Sequence, residues 1–391
     1  MYIIHLGFPC LPHVNAAPVQ RIQLTFKGLQ LLGVSVLIIN KHSTSAKKYE
    51  YKKITRFNGL PFMFTSFFTY RPDNFLVRNL NKLAGFIGEL LLLFKKRKKI
   101  HTAILYTSSF GQLVYYRLVS KLFKFNLIIQ YVEFRSALSI NYPLANRIND
   151  KLFDKYFYLF CDGIIAVSEY LKDYVISKSL KMPLIKLPVI FNFDDYQNIS
   201  LYPLKSYFLY CGNILYLAII NFIIEIFEIS RSKGIYNGKL VLVISGSHND
   251  NWINLKDKLA QSKHKNDIIL KSNISYAELF SLYKSADILM IPLRNTTQDL
   301  ARFPHKIGEY TAAKRPILST NLGEPNVYFK DGVSAILADE YSIESYIEKL
   351  TTVLSTNVSL GDIGEAGYKV GLKYFDYHSQ AASLKYFIFN L

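Results

Sequence analysis

Lys306 and Glu309 stand three residues apart, just after Arg302, Phe303, Pro304 and His305 and shortly before Arg315 and Pro316. Pro304 reads as the first residue of a helix over 304–313, where its missing N–H costs nothing and its fixed φ suits helix entry. Phe303 would then be the N-cap, with no side-chain oxygen to offer. The free amides at 304–307 would stay open to an anion, helped by the positive end of the helix dipole. A spacing of three puts Lys306 and Glu309 on one helical face. A cation able to meet a phosphate thus sits one turn from a carboxylate able to accept from sugar hydroxyls. That chemistry suits a nucleotide-sugar; the alternative is a surface salt bridge.

The elements that must hold these residues follow from hydrophobic periodicity. Short apolar runs rich in β-branched residues alternate with helical segments, the pattern of parallel βαβ units. In the first half, strands are expected at 2–8, 34–40, 103–108, 126–132, 163–167 and 184–189, with helices at 18–32, 74–94, 110–123, 144–160 and 168–178. After a lapse near 188–205 the alternation restarts, with strands at 206–211, 239–245, 267–271, 287–291 and 316–320. The helices there are 216–232, 252–262, 276–285, 304–313 and 342–355. The fold class is therefore α/β, with two doubly wound Rossmann-like domains facing across a cleft and ligand at the carboxyl ends of the strands. The expected divisions are a first domain over 1–190 for the acceptor, a hinge over 191–205 and a donor domain over 206–375. A C-terminal segment, 376–391, would pack back on the first domain.

Further candidates lie where strands end in small or polar residues. Gly212 and Asn213 follow the strand that opens the second domain, and Ser245 and Gly246 close the next one. Ser275 reads as an N-cap with Glu278 completing a capping box, beside Ile274. In the first half the loop from Gly7 to Pro18 carries His13 and Asn15, and the strand at 126–132 runs into Glu133. Cys10, Cys161 and Cys211 are far apart in apolar runs, which suggests buried thiols in a reducing compartment. The sequence contains no H-E-x-x-H, C-x-x-C, P-loop, D-x-D or G-x-S-x-G motif, so no metal site or nucleophile elbow is expected.

A formal charge of +18 over 391 residues implies attraction to polyanions. Basic residues are spread along the chain rather than set in a nucleic-acid module, so no nucleic-acid partner is expected. The sharpest cluster is Lys95, Lys96, Arg97, Lys98 and Lys99, after an apolar run at 83–94 interrupted by Glu89. That run is too short to span a bilayer, which needs roughly 20 residues. It reads as a core-facing helix whose basic end rests on anionic headgroups. The chain opens on a strand without a basic n-region or cleavage site, so no signal peptide is read there.

These residues together resemble the GT-B glycosyltransferases of the family-four type, and the resemblance covers nearly the full length. It is carried by the 7–18 loop, by 161–171, by Tyr210-Cys211-Gly212-Asn213 and by 274–287. Its most specific parts are 303–310, 315–318 and Gly323-Glu324. The resemblance implies a retaining, metal-independent transferase with no cofactor and a nucleoside-diphosphate sugar as co-substrate. Glu309 would bind the donor's ribose, the loop and helix start before it the diphosphate, and Ile274 would lie near the base, with Glu324 in the same site. Three departures stand out. A first glutamate eight residues before Glu309 is replaced by Ala301, no cations follow Gly212, and the usual first-domain histidine is not evident after the strand at 126–132, which runs into Glu133-Phe134-Arg135-Ser136. Lys306 and Arg302 are expected to supply the missing cations, since the chemistry needs a neutralised leaving group rather than a fixed chain position.

The implied activity is transfer of a hexose-type sugar to a glycan or lipid-linked acceptor in bacterial capsule or lipopolysaccharide assembly. The enzyme would be cytoplasmic and peripheral at the inner face of the cell membrane, on an anionic surface. The rival readings are a same-fold nucleotide-sugar epimerase or hydrolase, and a catalytically silent GT-B binding subunit.

Overall fold

The computed structural model describes residues 2–7, 17–44, 52–138, 143–247, 249–356 and 358–391. The chain divides into two compact units, 1–190 with Tyr377–Leu391, and Phe191–Asp376.

The first unit runs β1 (Tyr2–Gly7), α1 (Ala17–Leu31), β2 (Ser35–Asn40), β3 (Ile54–Phe57), β4 (Leu60–Phe64) and α2 (Phe75–Lys96). It continues through β5 (Ile100–Tyr106), α3 (Phe110–Phe123), β6 (Asn126–Tyr131), α4 (Leu144–Tyr156), β7 (Gly163–Ala166), α5 (Glu169–Lys178) and β8 (Leu184–Lys186). Its sheet has the order β3-β4-β2-β1-β5-β6-β7-β8. Every pairing is parallel except β3 with β4. The β3–β4 hairpin lies outside the expected alternation. It turns at Asn58 and Gly59, both with positive φ, the Asn-Gly turn whose twist matches a hairpin.

The second unit runs β9 (Tyr207–Asn213), α6 (Leu217–Ser232), β10 (Lys239–Ser245), α7 (Asp250–Gln261), β11 (Ile268–Lys271), α8 (Tyr276–Ser285) and β12 (Ile288–Ile291). Then come α9 (Thr297–Ala301), α10 (Lys306–Ala312), β13 (Ile317–Thr320), α11 (Gly323–Tyr328), β14 (Ile336–Ala338), α12 (Ile343–Ser355) and α13 (Leu360–Tyr374). The sheet is β11-β10-β9-β12-β13-β14, parallel throughout. Strands covered on both faces need apolar residues at every position. Leu240, Val241, Leu242, Val243 and Ile244 meet that need, and the Ile-rich α6 shares one core with Leu240, Leu242 and Ile244 through Ile220, Ile223 and Ile224. Phe191, Phe193 and Tyr196, in the stretch expected as a hinge, are buried, and Tyr196 stacks between Phe191 and Phe280.

In both sheets the first strand sits centrally, and the chain winds outward to one side and then the other. Each unit therefore has one switch point, between β1 and β5 and between β9 and β12. A last helix, α14 (Tyr377–Phe389), closes the first unit. Its Leu384 and Ile388 join Val19, Ile22 and Leu29 of α1 in one core, and Lys385 Nζ donates to the Leu32 carbonyl at 3.0 Å.

One expectation is reversed. The apolar run of α2 does not face the core. Its buried positions are Asn81, Gly85, Glu89 and Leu93, whereas Leu80, Leu83, Ile87 and Leu91 are exposed. Gly85 is the reason. A Cβ there would run into the Lys41 carbonyl oxygen, so the helix backbone lies against the β2 end in a way no larger residue permits. Glu89 accepts from the Tyr116 hydroxyl at 2.9 and 3.1 Å, and Lys41 Nζ donates to that same hydroxyl at 2.7 Å. Burial pushes the Glu89 carboxyl up to about 7, against the opposing pull of Lys41 and Tyr116. Gly85→Ala should lower stability by about 1–3 kcal/mol, the usual cost of overpacking. Leu91→Ala on the outer face should change it by less than about 0.5 kcal/mol. Urea unfolding of the two variants checks the orientation of the helix; equal effects would contradict it.

Candidate functional site

At the carboxyl end of β9 the chain passes through Gly212 to Asn213, whose Oδ1 accepts from the Leu215 amide at 3.0 Å and caps a short turn at 214–216. Gly246, with φ at +116°, ends β10 against Asn213 and Ile214, where a Cβ would crowd both side chains. Ser245 Oγ donates to the Gly212 carbonyl at 3.3 Å. These backbone approaches open a cavity of about 280 Å³ at the switch point. Gly212, Asn213, Ser245, Arg302, Pro304 and Lys306 lie on its wall, so six of the residues singled out in the sequence are brought together. Tyr216 and Leu293 also line it.

The entry to α10 differs from the sequence reading. The helix begins at Lys306, its N-cap is His305 without a side-chain bond, and Pro304 lies ahead of it. Pro304 supplies a carbonyl, which accepts from the Ile307 amide at 3.0 Å. A helix of seven residues has a small dipole, so charge in the cavity rests on side chains.

Two ion-pair groups set that charge. Asp299 is buried and capped by Thr296, and it receives Arg294 Nε at 2.8 Å and Arg302 Nη2 at 2.6 Å. Arg302 also donates to the Tyr216 hydroxyl at 2.8 Å, with its guanidinium 4.8 Å from a Tyr216 ring centroid. The second group centres on Glu309, 5% exposed. Lys306 Nζ lies 3.1 Å from Oε2 and His305 Nδ1 3.5 Å from Oε1. The hydroxyls of Tyr276 and Tyr283 donate to the same carboxylate at 3.4 and 3.2 Å. Burial works to raise the Glu309 carboxyl, but Lys306 and His305 outweigh it and hold the group at about 2. Burial likewise opposes the charge on Lys306, and Glu309 overcomes it, raising the ammonium above its ordinary value. Arg294, Arg302 and Lys306 face Asp299 and Glu309, so one positive charge remains in excess where an anion would enter.

The other sequence candidates sit around this wall rather than on it. His305 and Glu309 lie behind Lys306. Ile274 is half-buried in the turn before α8. Ser275 Oγ accepts from the Glu278 amide at 3.1 Å, but the Glu278 carboxylate goes to Lys271 at 2.9 Å, so the capping box is half formed. Glu324 is buried at the start of α11, after Gly323 with φ at +54°. Asp299, Tyr216, Tyr276 and Tyr283 were not singled out in the sequence. Asp299 alone carried a signal, three residues before Arg302.

The first unit has its own cavity at its switch point, about 310 Å³, lined by Gly7, Tyr106, Gln130, Glu133 and Arg135. Glu133 Oε2 lies 3.7 Å from Arg135 Nη1, and Arg135 Nε donates to Asp150 at 3.1 Å. Gln130, missed in the sequence, is 2% exposed, and neither amide atom has a hydrogen-bond partner among the described residues. A buried amide in that state is set up to meet a ligand that both donates and accepts. His13, Asn15 and Cys10 lie outside the described residues. Cys161 and Cys211 are buried free thiols. Among the described residues no group of three His, Cys, Asp or Glu is placed to hold a metal ion.

Two doubly wound parallel units, each hollowed at its switch point, define the GT-B fold. Residues 194–370, within the second unit, match the family described as glycosyl transferases group 1. Full-length structural similarity extends to a sucrose-phosphate synthase from Thermosynechococcus elongatus, with TM-score 0.71 and 13% identity, covering 100% of this chain and 98% of that one. HepE from Anabaena in complex with UDP-glucose gives 0.68 and 12%, covering 100% of both chains. A glycosyltransferase from Rickettsia africae gives 0.65 and 14%, covering 99% and 97%. At such identities it is the fold that is shared. No curated protein matches the sequence.

Glu309 generates a pH test. Its folded pKa lies below the ordinary 4.5, so its contribution to stability is present above about pH 4.5 and is lost as pH falls toward 2. The shift corresponds to a contribution on the order of 3 kcal/mol. Wild type should therefore melt well above Glu309→Gln at pH 7, and the gap should narrow between pH 4.5 and 2.5. A gap constant with pH would contradict the pairing.

Proposed function

We propose that this chain transfers a sugar, of hexose type, from a nucleoside diphosphate to a glycan or lipid-linked acceptor. The observation that carries the reading is the second unit's cavity, with Arg302 and Lys306 on its wall and one cation in excess. A diphosphate leaving group takes the electron pair of the bond to the anomeric carbon as the acceptor hydroxyl oxygen bonds that carbon and gives its proton to the departing diphosphate. Fixed cations stabilise the charge that develops there without reorganisation. Asp299 and Glu309 hold those cations in place, and Glu309 is available to ribose hydroxyls once Tyr276 or Tyr283 yields. The UDP-glucose held by the structurally similar HepE supports a nucleotide-sugar donor. Gln130 in the first unit supports a neutral hydroxyl-bearing acceptor. Retention, metal independence and a role in bacterial surface polysaccharide rest on the sequence resemblance. A lipid-linked acceptor would bring the enzyme to the inner face of the cell membrane, where the Lys95 to Lys99 cluster suits anionic headgroups.

Incubation with a panel of nucleotide-sugars separates this reading from its rivals. Epimer or free sugar formed without acceptor favours an epimerase or hydrolase. Absence of any nucleotide-dependent thermal shift favours a silent binding subunit. For a transferase, Lys306→Ala and Arg302→Met should each lower turnover about 10²- to 10³-fold, the range for one lost oxyanion donor. Unchanged donor turnover in Lys306→Ala would remove that residue from the mechanism.

A further inference from the structure

Helix α2 is packed inside out. Asn81, Gly85, Glu89 and Leu93, four apart, form its buried stripe. Leu76, Leu80, Leu83, Ile87, Leu91 and Phe94 recur at intervals of three and four on the opposite side, each between 48% and 69% exposed. A helix on a water-facing surface has the reverse arrangement. Rotation is prevented from within. The Asn81 side chain exchanges hydrogen bonds with the Phe68 backbone at 2.8 and 3.1 Å, Glu89 is held by Tyr116, and Gly85 and Gly88 admit backbone where any Cβ would collide. The apolar stripe is thus held outward by specific contacts. Contiguous patches of this kind mark interaction surfaces. α3 lies alongside through the Phe86–Tyr115 and Phe94–Phe123 ring pairs and adds exposed Leu118 and Leu122.

Charge selects the occupant. Between residues 74 and 132 there are ten Lys and Arg and a single acidic residue, Glu89, which is fully buried. Arg117 and Lys121 of α3 pair with Asp162, and the remaining eight cations of the span, five of them Lys95, Lys96, Arg97, Lys98 and Lys99 at the end of the helix, keep it cationic. A second copy of this chain would bring the same sign of charge against it, a juxtaposition that costs several kcal/mol in general. No helix among the described residues is long and apolar enough to cross a membrane. A helix of this composition lies in the interface plane, its apolar side at the acyl boundary and its cations among anionic headgroups.

We propose that α2 inserts its outward Leu76-to-Phe94 stripe into an anionic lipid surface, with Lys95 to Lys99 at the headgroups. The proposal deepens the membrane reading above by naming the inserting element, and it does not depend on the donor site. Full-length protein is sedimented with phosphatidylcholine vesicles, with and without 30 mole per cent phosphatidylglycerol, at about 0.1 and 0.5 M salt, where screening separates the two contributions. Binding should need the anionic lipid and fall only partly at high salt. Leu83→Ser/Ile87→Ser should bind about tenfold or more weakly with unchanged thermal melting, since two large side chains leave the acyl region. Leu83→Trp should be quenched by brominated acyl chains, while wild type, whose one tryptophan is the buried Trp252, should not. Binding abolished by salt and indifferent to Leu83→Ser/Ile87→Ser would overturn insertion while leaving surface attraction intact. A dimer in solution that Leu83→Ser/Ile87→Ser converts to monomer would assign the stripe to a second copy and overturn the proposal. Donor turnover of Leu83→Ser/Ile87→Ser on a nucleotide-sugar without vesicles reads the catalytic proposal separately.

Discussion

A carboxylate cannot be taken out of water unless something replaces its hydration, and Glu309 is almost wholly out of water. Much of the second unit's site follows from that constraint. Lys306 must lie one turn away with its ammonium turned inward, and the hydroxyls of Tyr276 and Tyr283 must reach across from α8. The Tyr310 hydroxyl, next in sequence, accepts from the Cys211 amide at 3.2 Å and so ties α10 to β9 just before the Gly212 turn. The floor of the cavity and its cation are therefore positioned by one buried cluster. Asp299 repeats the logic on a smaller scale, with two guanidiniums in place of a lysine and two phenols.

The two units solve the same geometric problem with different polar chemistry. Each sheet reverses its winding beside its first strand, and each leaves a hollow where the neighbouring connections diverge. In the second unit the hollow is walled by fixed charge. In the first it meets a neutral amide, Gln130, and a loosely paired Glu133 and Arg135. A charged wall favours a ligand with a defined anionic group, whereas an amide discriminates among hydroxyl arrangements by hydrogen-bond direction. The division suits a donor with a constant diphosphate and an acceptor recognised by its stereochemistry.

Parallel βαβ winding was legible because strands buried on both faces must be apolar throughout, as 240–244 are, and helices between them carry a different period. The hairpin of β3 and β4 carries its own signal in Asn58-Gly59, a local turn that stands outside the βαβ alternation. Lys306 and Glu309 were legible as neighbours from spacing alone. Their surroundings were not, because Tyr276 and Tyr283 come from another helix and Asp299 sits on a five-residue helix with no periodicity to detect. The helix α10 starts two residues beyond Pro304, since a proline that precedes a cap and one that opens a helix look alike in sequence. The orientation of α2 was read backwards for a similar reason. Nothing in the apolar run 83–94 itself reveals that its Gly85 has backbone oxygen waiting against it.

The boundary of the second unit has a consequence for how the protein is made. Its two ends meet, with the Phe191 amide donating to the Phe375 carbonyl at 2.8 Å, so the unit is an insertion between β8 and α14 of the first. The core of the first unit lacks Leu384 and Ile388 until residues 384–388, which follow the whole second unit, are synthesised. During translation the inserted unit emerges whole while its host still waits for its last helix. Ribosomal order thus makes the second domain the earlier one to close, and premature termination near 376 would strand an open first sheet with α1 uncovered.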